Sequence, residues 1–258
     1  MVGGVRHAFR VGLWAAIALA AAAGCGRREA PPERTAQPPV AAAGAPAPAA
    51  QPEVRADRLP TQADLLFPHA VGDTWEMAVT AGLDRYRLRL QVVEARVEEG
   101  DTVFTVRTER DGRQVQIEQY RIGASGVVRT ACGPDGTDLI EPPTPMLPMP
   151  FTVGASWSWS GATSVASGEA QATASFELTG PERVRSGVGD HQAYVITQRF
   201  TLGDTGSTET VTNQQWFAPG LGMVRQVTDD GEQRAVSELV GSRVGGESRG
   251  TLADTPAP

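Results

Sequence analysis

The apolar residues of this chain follow a period of two. From Arg85 to Val92 the alternation is unbroken, placing Tyr86, Leu88, Leu90 and Val92 on one face and Arg85, Arg87, Arg89 and Gln91 on the other. Ala170 to Leu178 repeats it, with Ala172, Ala174, Phe176 and Leu178 opposite Gln171, Thr173, Ser175 and Glu177. That spacing belongs to a strand with one dry and one wet face. Asp111-Gly112 and Asp230-Gly231 fall between such runs, where a tight hairpin needs residues that tolerate positive φ. No helical period appears between about residues 61 and 244. The pattern predicts an all-β fold, an antiparallel meander curled into a barrel or half-barrel.

Outside that region the pattern changes twice. Arg6, His7 and Arg10 precede an uninterrupted apolar run from Val11 to Ala23. About 13 residues is too short for a bilayer span, which takes about 20, but it suits the core of an export signal. From Cys25 to Pro60 the chain is mostly Ala, Pro, Arg and Gln, as in Gln37-Pro38-Pro39-Val40 and Ala45-Pro46-Ala47-Pro48. Such a segment has too few large apolar residues to offset the entropy of ordering it. The expected organisation is a signal peptide at 1–24, a disordered tether at 25–60, a folded body, and a disordered tail at 245–258.

The body repeats itself. Pro68-His69-Ala70-Val71-Gly72-Asp73-Thr74-Trp75 aligns with Pro150-Phe151-Thr152-Val153-Gly154-Ala155-Ser156-Trp157. Further on, Gln119-Tyr120 and Gly126-Val127-Val128-Arg129 align with Gln215-Trp216 and Gly222-Met223-Val224-Arg225. Two ordered matches predict two sequence-similar halves, 61–140 and 151–244. Between them, 141–150 holds Pro142, Pro143, Pro145, Pro148 and Pro150, and reads as a linker because proline donates nothing to a sheet ladder.

Composition narrows the chemistry. All 23 basic residues are Arg, against 30 acidic ones, for a formal net charge of −7. Without Lys there is no Schiff base, P-loop lysine or Ser-x-x-Lys acylase, and the acidic balance argues against nucleic acid. His69 reads as a turn residue, since Phe151 replaces it in the second half, and His191 as a loop residue. Cys132 lacks a partner once Cys25 is modified and reads as a buried, inert thiol. Asp135-Gly136-Thr137-Asp138 lacks the EF-hand pattern and reads as an acidic turn. No metal site and no cofactor are expected. Trp75, Trp157 and Trp159 are candidate ligand-facing residues, the aromatic lining of an apolar cradle.

Ala22-Ala23-Gly24-Cys25 resembles the lipobox of bacterial lipoproteins, which implies lipidation of Cys25 and anchoring to the cell envelope. Gly26 follows in place of an inner-membrane retention Asp, so the outer membrane is expected in a Gram-negative host. Phe67 to Trp75 and Trp216 to Arg225 together resemble secreted bacterial lipoproteins of unknown function, similar in shape to half-barrel carriers of lipoprotein acyl chains. The resemblance implies no catalytic residues. The expected function is non-catalytic binding of an apolar ligand or an envelope protein. The alternatives are a periplasmic hydrolase with carboxylates in a groove, or a purely structural envelope component.

Overall fold

A computed structural model describes residues 62–165, 168–204 and 207–252. The signal peptide, Cys25 and the tether lie outside these residues. Thirteen strands follow in chain order: β1 (Thr74–Ala81), β2 (Asp84–Glu98), β3 (Asp101–Arg110), β4 (Arg113–Gly123), β5 (Gly126–Cys132), β6 (Asp138–Pro148), β7 (Ser156–Val165), β8 (Gly168–Ser186), β9 (Gly189–Asp204), β10 (Ser207–Ala218), β11 (Gly222–Asp229), β12 (Arg234–Val244) and β13 (Glu247–Gly250). Each pairs antiparallel with its neighbour, and β1 also pairs with β12 from Thr74↔Arg243 to Ala81↔Ala235. The meander therefore closes on itself as a barrel of 12 strands. β13 adds a short strand beside Gly241–Val244.

The alternation does what its period requires. Leu88 and Val92 are buried inside, Tyr86 and Leu90 pack against the same core, and Ala172, Ala174, Phe176 and Leu178 all point inward. Past Val92 a bulge shifts the register, so that Ala95, opposite Phe104, takes over the inward face. The β3–β4 hairpin turns on Asp111 and Gly112, both at positive φ.

Two expectations need correction. The proline run at 141–150 is not a linker, since most of it belongs to β6. The tail does not begin at 245, because Gly245 and Gly246 turn the chain into β13. A five-residue helix, α1 (Gln62–Leu66), precedes β1 and is too short to show a period. It buries Ala63 and Leu66 at the barrel end where β1 starts, and Gly220, in the β10–β11 turn, donates its N–H to the Leu65 carbonyl at 2.7 Å.

β6 tolerates its prolines because of what lies beside it. It meets β7 only at Ile140↔Thr163 and Glu141↔Ala162. Along the rest of the seam the tryptophan indoles of β7 substitute for ladder bonds: Trp159 Nε1 donates to the Pro142 carbonyl at 2.7 Å, and Trp157 Nε1 to that of Pro145 at 2.9 Å. Trp159→Phe is expected to lower stability by about 1 kcal/mol, the net worth of the hydrogen bond that the buried Trp159 indole makes to the Pro142 carbonyl. Trp157→Phe should cost less, because water reaches that half-buried site. Urea unfolding of the two variants checks the order.

The repeated segments occupy matching places. Pro68–Trp75 leads into β1 and Pro150–Trp157 into β7, six strands later. Gly72 N–H bonds the Val92 carbonyl, Asp73 N–H that of Ala70, and Val92 N–H that of Asp73. Gly154 with Leu178, Ala155 with Thr152, and Leu178 with Ala155 form the same three bonds in the second half.

Candidate functional site

A cavity of about 120 Å³ lies inside the barrel next to α1. Part of its wall is apolar: Leu66 and Phe67 from α1 and the segment after it, then Trp75, Met77, Phe104 and Phe217. Phe67 stacks on Phe217 with ring centroids 4.7 Å apart, and Phe104 on Tyr120 at 5.2 Å. Trp75 is fixed by a 2.6 Å bond from its indole N–H to the Leu221 carbonyl.

The remaining wall is polar, which the sequence reading did not anticipate. Gln116 and Glu118 come from β4, Arg129 from β5, Gln198 from β9, Asn213 and Gln215 from β10, and Gln226 from β11. Each holds an inward position in its strand: Gln198 lies between the inward Ile196 and Phe200, and Asn213 is two residues after the inward Val211. A polar residue at the apolar phase of an alternating strand is the signal that would have found them.

Glu118 and Arg129 form a buried ion pair at 2.8 Å, with side chains 15% and 6% exposed. Burial pulls the Arg129 pKa down, but the Glu118 carboxylate and its neighbours more than offset that and leave it above the usual guanidinium value. The Tyr120 hydroxyl is held protonated, well above the normal phenol range, by burial and then by Glu118. Among the described residues Glu118 is the one carboxylate on this wall.

Of the three candidate tryptophans only Trp75 reaches this cavity. Trp157 and Trp159 are drawn instead to the β6 carbonyls. Trp157 also stacks on its cross-strand neighbour Phe176, with centroids 5.2 Å apart, in a shallow groove along β7 and β8. Trp159 lines a neighbouring groove along the same two strands.

The other singled-out residues lie elsewhere. His69 Nδ1 is 3.0 Å from the Phe67 carbonyl, and its ring lies 5.6 Å from that of Phe104. His191 Nε2 is 3.1 Å from Ser186 Oγ across the β8–β9 hairpin. That Oγ also accepts the Val188 N–H at 3.3 Å, so it is built into the turn. Asp135 accepts from Thr137, and among the described residues no group of three or more His, Cys, Asp or Glu could hold a metal ion.

Cys132 is fully buried, and burial pushes its thiol up to about 11, with the nearby Arg129 opposing. Below that pH the thiol stays protonated in the folded state. Native Cys132 should therefore resist iodoacetamide at pH 8 for hours and react promptly in denaturant, as mass spectrometry would show. Stability should also fall as pH rises from the ordinary thiol value of 9.0 toward about 11, because only the unfolded thiol ionises across that window.

No family model and no curated protein matches this chain. Among solved structures it is similar to a Bacteroides fragilis protein described as exported, with a YmcC-like fold (13% identity over 68% of this chain and 97% of that one, TM-score 0.46). It is also similar to a Parabacteroides distasonis protein described as a lipoprotein (12%, 68% and 96%, TM-score 0.41). The hypothetical lipoprotein YmcC of Escherichia coli is a third (11%, 66% and 87%, TM-score 0.33). At identities and scores this low the likeness says nothing of ligand or activity.

Proposed function

We propose that this chain is an exported lipoprotein, tethered to the cell envelope through Cys25, whose barrel binds an apolar ligand without transforming it. In an envelope with two membranes the outer one is its place. The observation that carries the reading is the cavity beside α1. Trp75, Met77, Phe104 and Phe217 give it a rigid apolar wall, and part of the covering is a short helix rather than a barrel strand. Covering of that kind is the part of a barrel most easily displaced. A ligand longer than the cavity, such as an acyl chain, would enter by moving Leu66 and Phe67 aside. The same reading takes the two halves as copies of one six-stranded unit, supported by their matching sets of three turn hydrogen bonds.

The test is native mass spectrometry of the full chain, exported and purified from the membrane. A reproducible adduct of lipid mass on the barrel, beyond the acyl groups on Cys25, is the expected result. A bare barrel mass would overturn the carrier reading and favour an envelope protein partner. Crosslinking would then have to use carboxylate or photochemical reagents, because the chain has no lysine.

A further inference from the structure

Four side chains on the cavity side of β9, β10 and β11 form a directed chain of hydrogen bonds. Gln226 Nε2 donates to Thr228 Oγ1 at 3.1 Å, Thr228 Oγ1 to Asn213 Oδ1 at 2.7 Å, and Asn213 Nδ2 to Gln198 Oε1 at 3.3 Å. Every member is deeply buried: Gln198 is 2% exposed, Asn213 3%, Gln226 5% and Thr228 6%. The direction of the chain leaves opposite capacities at its two ends. Gln198 Nε2 keeps its N–H donors, Gln226 Oε1 keeps its acceptor, and neither atom has a protein partner among the described residues. Gln215 Oε1, beside them on the same wall, is a second acceptor in that condition.

A buried amide atom without a partner costs about 1–3 kcal/mol, so three such atoms around one cavity favour an occupant that satisfies them. We propose that this wall is a binding site for the polar end of a small uncharged amphiphile bearing a hydroxyl or carboxamide. It rests on the reading of the barrel as a ligand carrier and specifies which end of the ligand goes where. Groups that both accept and donate, as hydroxyls and primary amides do and hydrocarbons do not, match the donor left on Gln198 and the acceptors left on Gln215 and Gln226. The group must also be neutral. Among the described residues the charged groups of the wall, Glu118 and Arg129, are paired with each other, so the wall carries no net charge to compensate an entering ion for its lost water. The rest of the molecule lies against Trp75, Met77 and Phe217. A cavity of about 150 Å³ accepts benzene, so this one takes roughly five or six heavy atoms before α1 has to move.

Three probes of that size separate the possibilities: butyramide, cyclopentane and butyrate, each titrated into the full chain and followed by ligand-detected NMR. Butyramide is expected to bind and butyrate not to. Gln198→Leu and Gln226→Leu should each weaken butyramide about tenfold or more, the scale of one lost buried hydrogen bond, while leaving cyclopentane affinity unchanged or higher. Should either variant fail to fold, the side-chain NH₂ resonances of Gln198 in the unaltered protein serve instead, and butyramide must shift them. Butyramide binding indifferent to both substitutions, or unshifted Gln198 resonances, overturns the site. Cyclopentane binding without butyramide binding overturns the polar site but leaves the apolar carrier standing. A cavity that takes none of the three holds water alone, and both readings fall.

Discussion

Replacing Glu118 with Ala should cost about 3–5 kcal/mol, more than any surface substitution in the chain. The reason is the charge left behind. Arg129 is 5% exposed, and its guanidinium is held in the interior by the carboxylate 2.8 Å away. Without it, the desolvation that already opposes the charged form loses its largest opposing attraction. Glu118→Leu combined with Arg129→Met removes both charges and should recover most of the loss, because a buried ion pair contributes little over an apolar pair of similar size. Urea midpoints for the single and double variants decide this. A double variant as unstable as the single one would mean that Arg129 supports the fold through its other contacts.

Gly126→Ala should be nearly as damaging, at about 3 kcal/mol or more. Gly126 starts β5 at φ +113°, and a β-carbon built there would lie 2.0 Å from the Leu147 carbonyl oxygen and 3.0 Å from the Met149 nitrogen. Both obstacles are backbone, so no side chain can rotate away. Gly72→Ala is the control. Its φ is +94°, but nothing lies within 4 Å of the added carbon, so it carries only the strain of a left-handed residue, about 1–2 kcal/mol. Equal losses in the two variants would show that dihedral strain alone accounts for both, and that β5 and β6 separate easily.

The strands were legible because their period is simple. Leu88, Val92, Phe176 and Leu178 could be assigned to a dry face from spacing alone, and Asp111-Gly112 to a hairpin. The proline run was misread for a sound reason applied in the wrong place. Proline does deprive a ladder of donors, but β6 makes almost no ladder with β7, and indoles from β7 supply donors to its carbonyls. The bonds of Trp157 and Trp159 to β6 could not be read with it, since spacing tells which face a residue takes and not which neighbour captures it. The interior amides sat in plain view at inward phase. What hid them was the absence of charge or of any familiar motif: neutral glutamines become a site only when three strands bring them together. Helix α1 was beyond reach, as five residues are less than two turns of helix.

The seam between β6 and β7 also bears on where this chain has to begin. Gly245 N–H bonds the Asp73 carboxylate at 2.9 Å, so the last long strand ends beside the start of the first. The ring therefore has two distinctive junctions: the β1–β12 ladder, which the chain itself does not bridge, and the β6–β7 seam at Pro150, which holds only two ladder pairs. A circular permutant that joins the old ends and opens at Phe151 would exchange one for the other. In a ring of this kind, chain order is a historical choice, and the order in which strands leave the ribosome can be altered without altering the barrel they form.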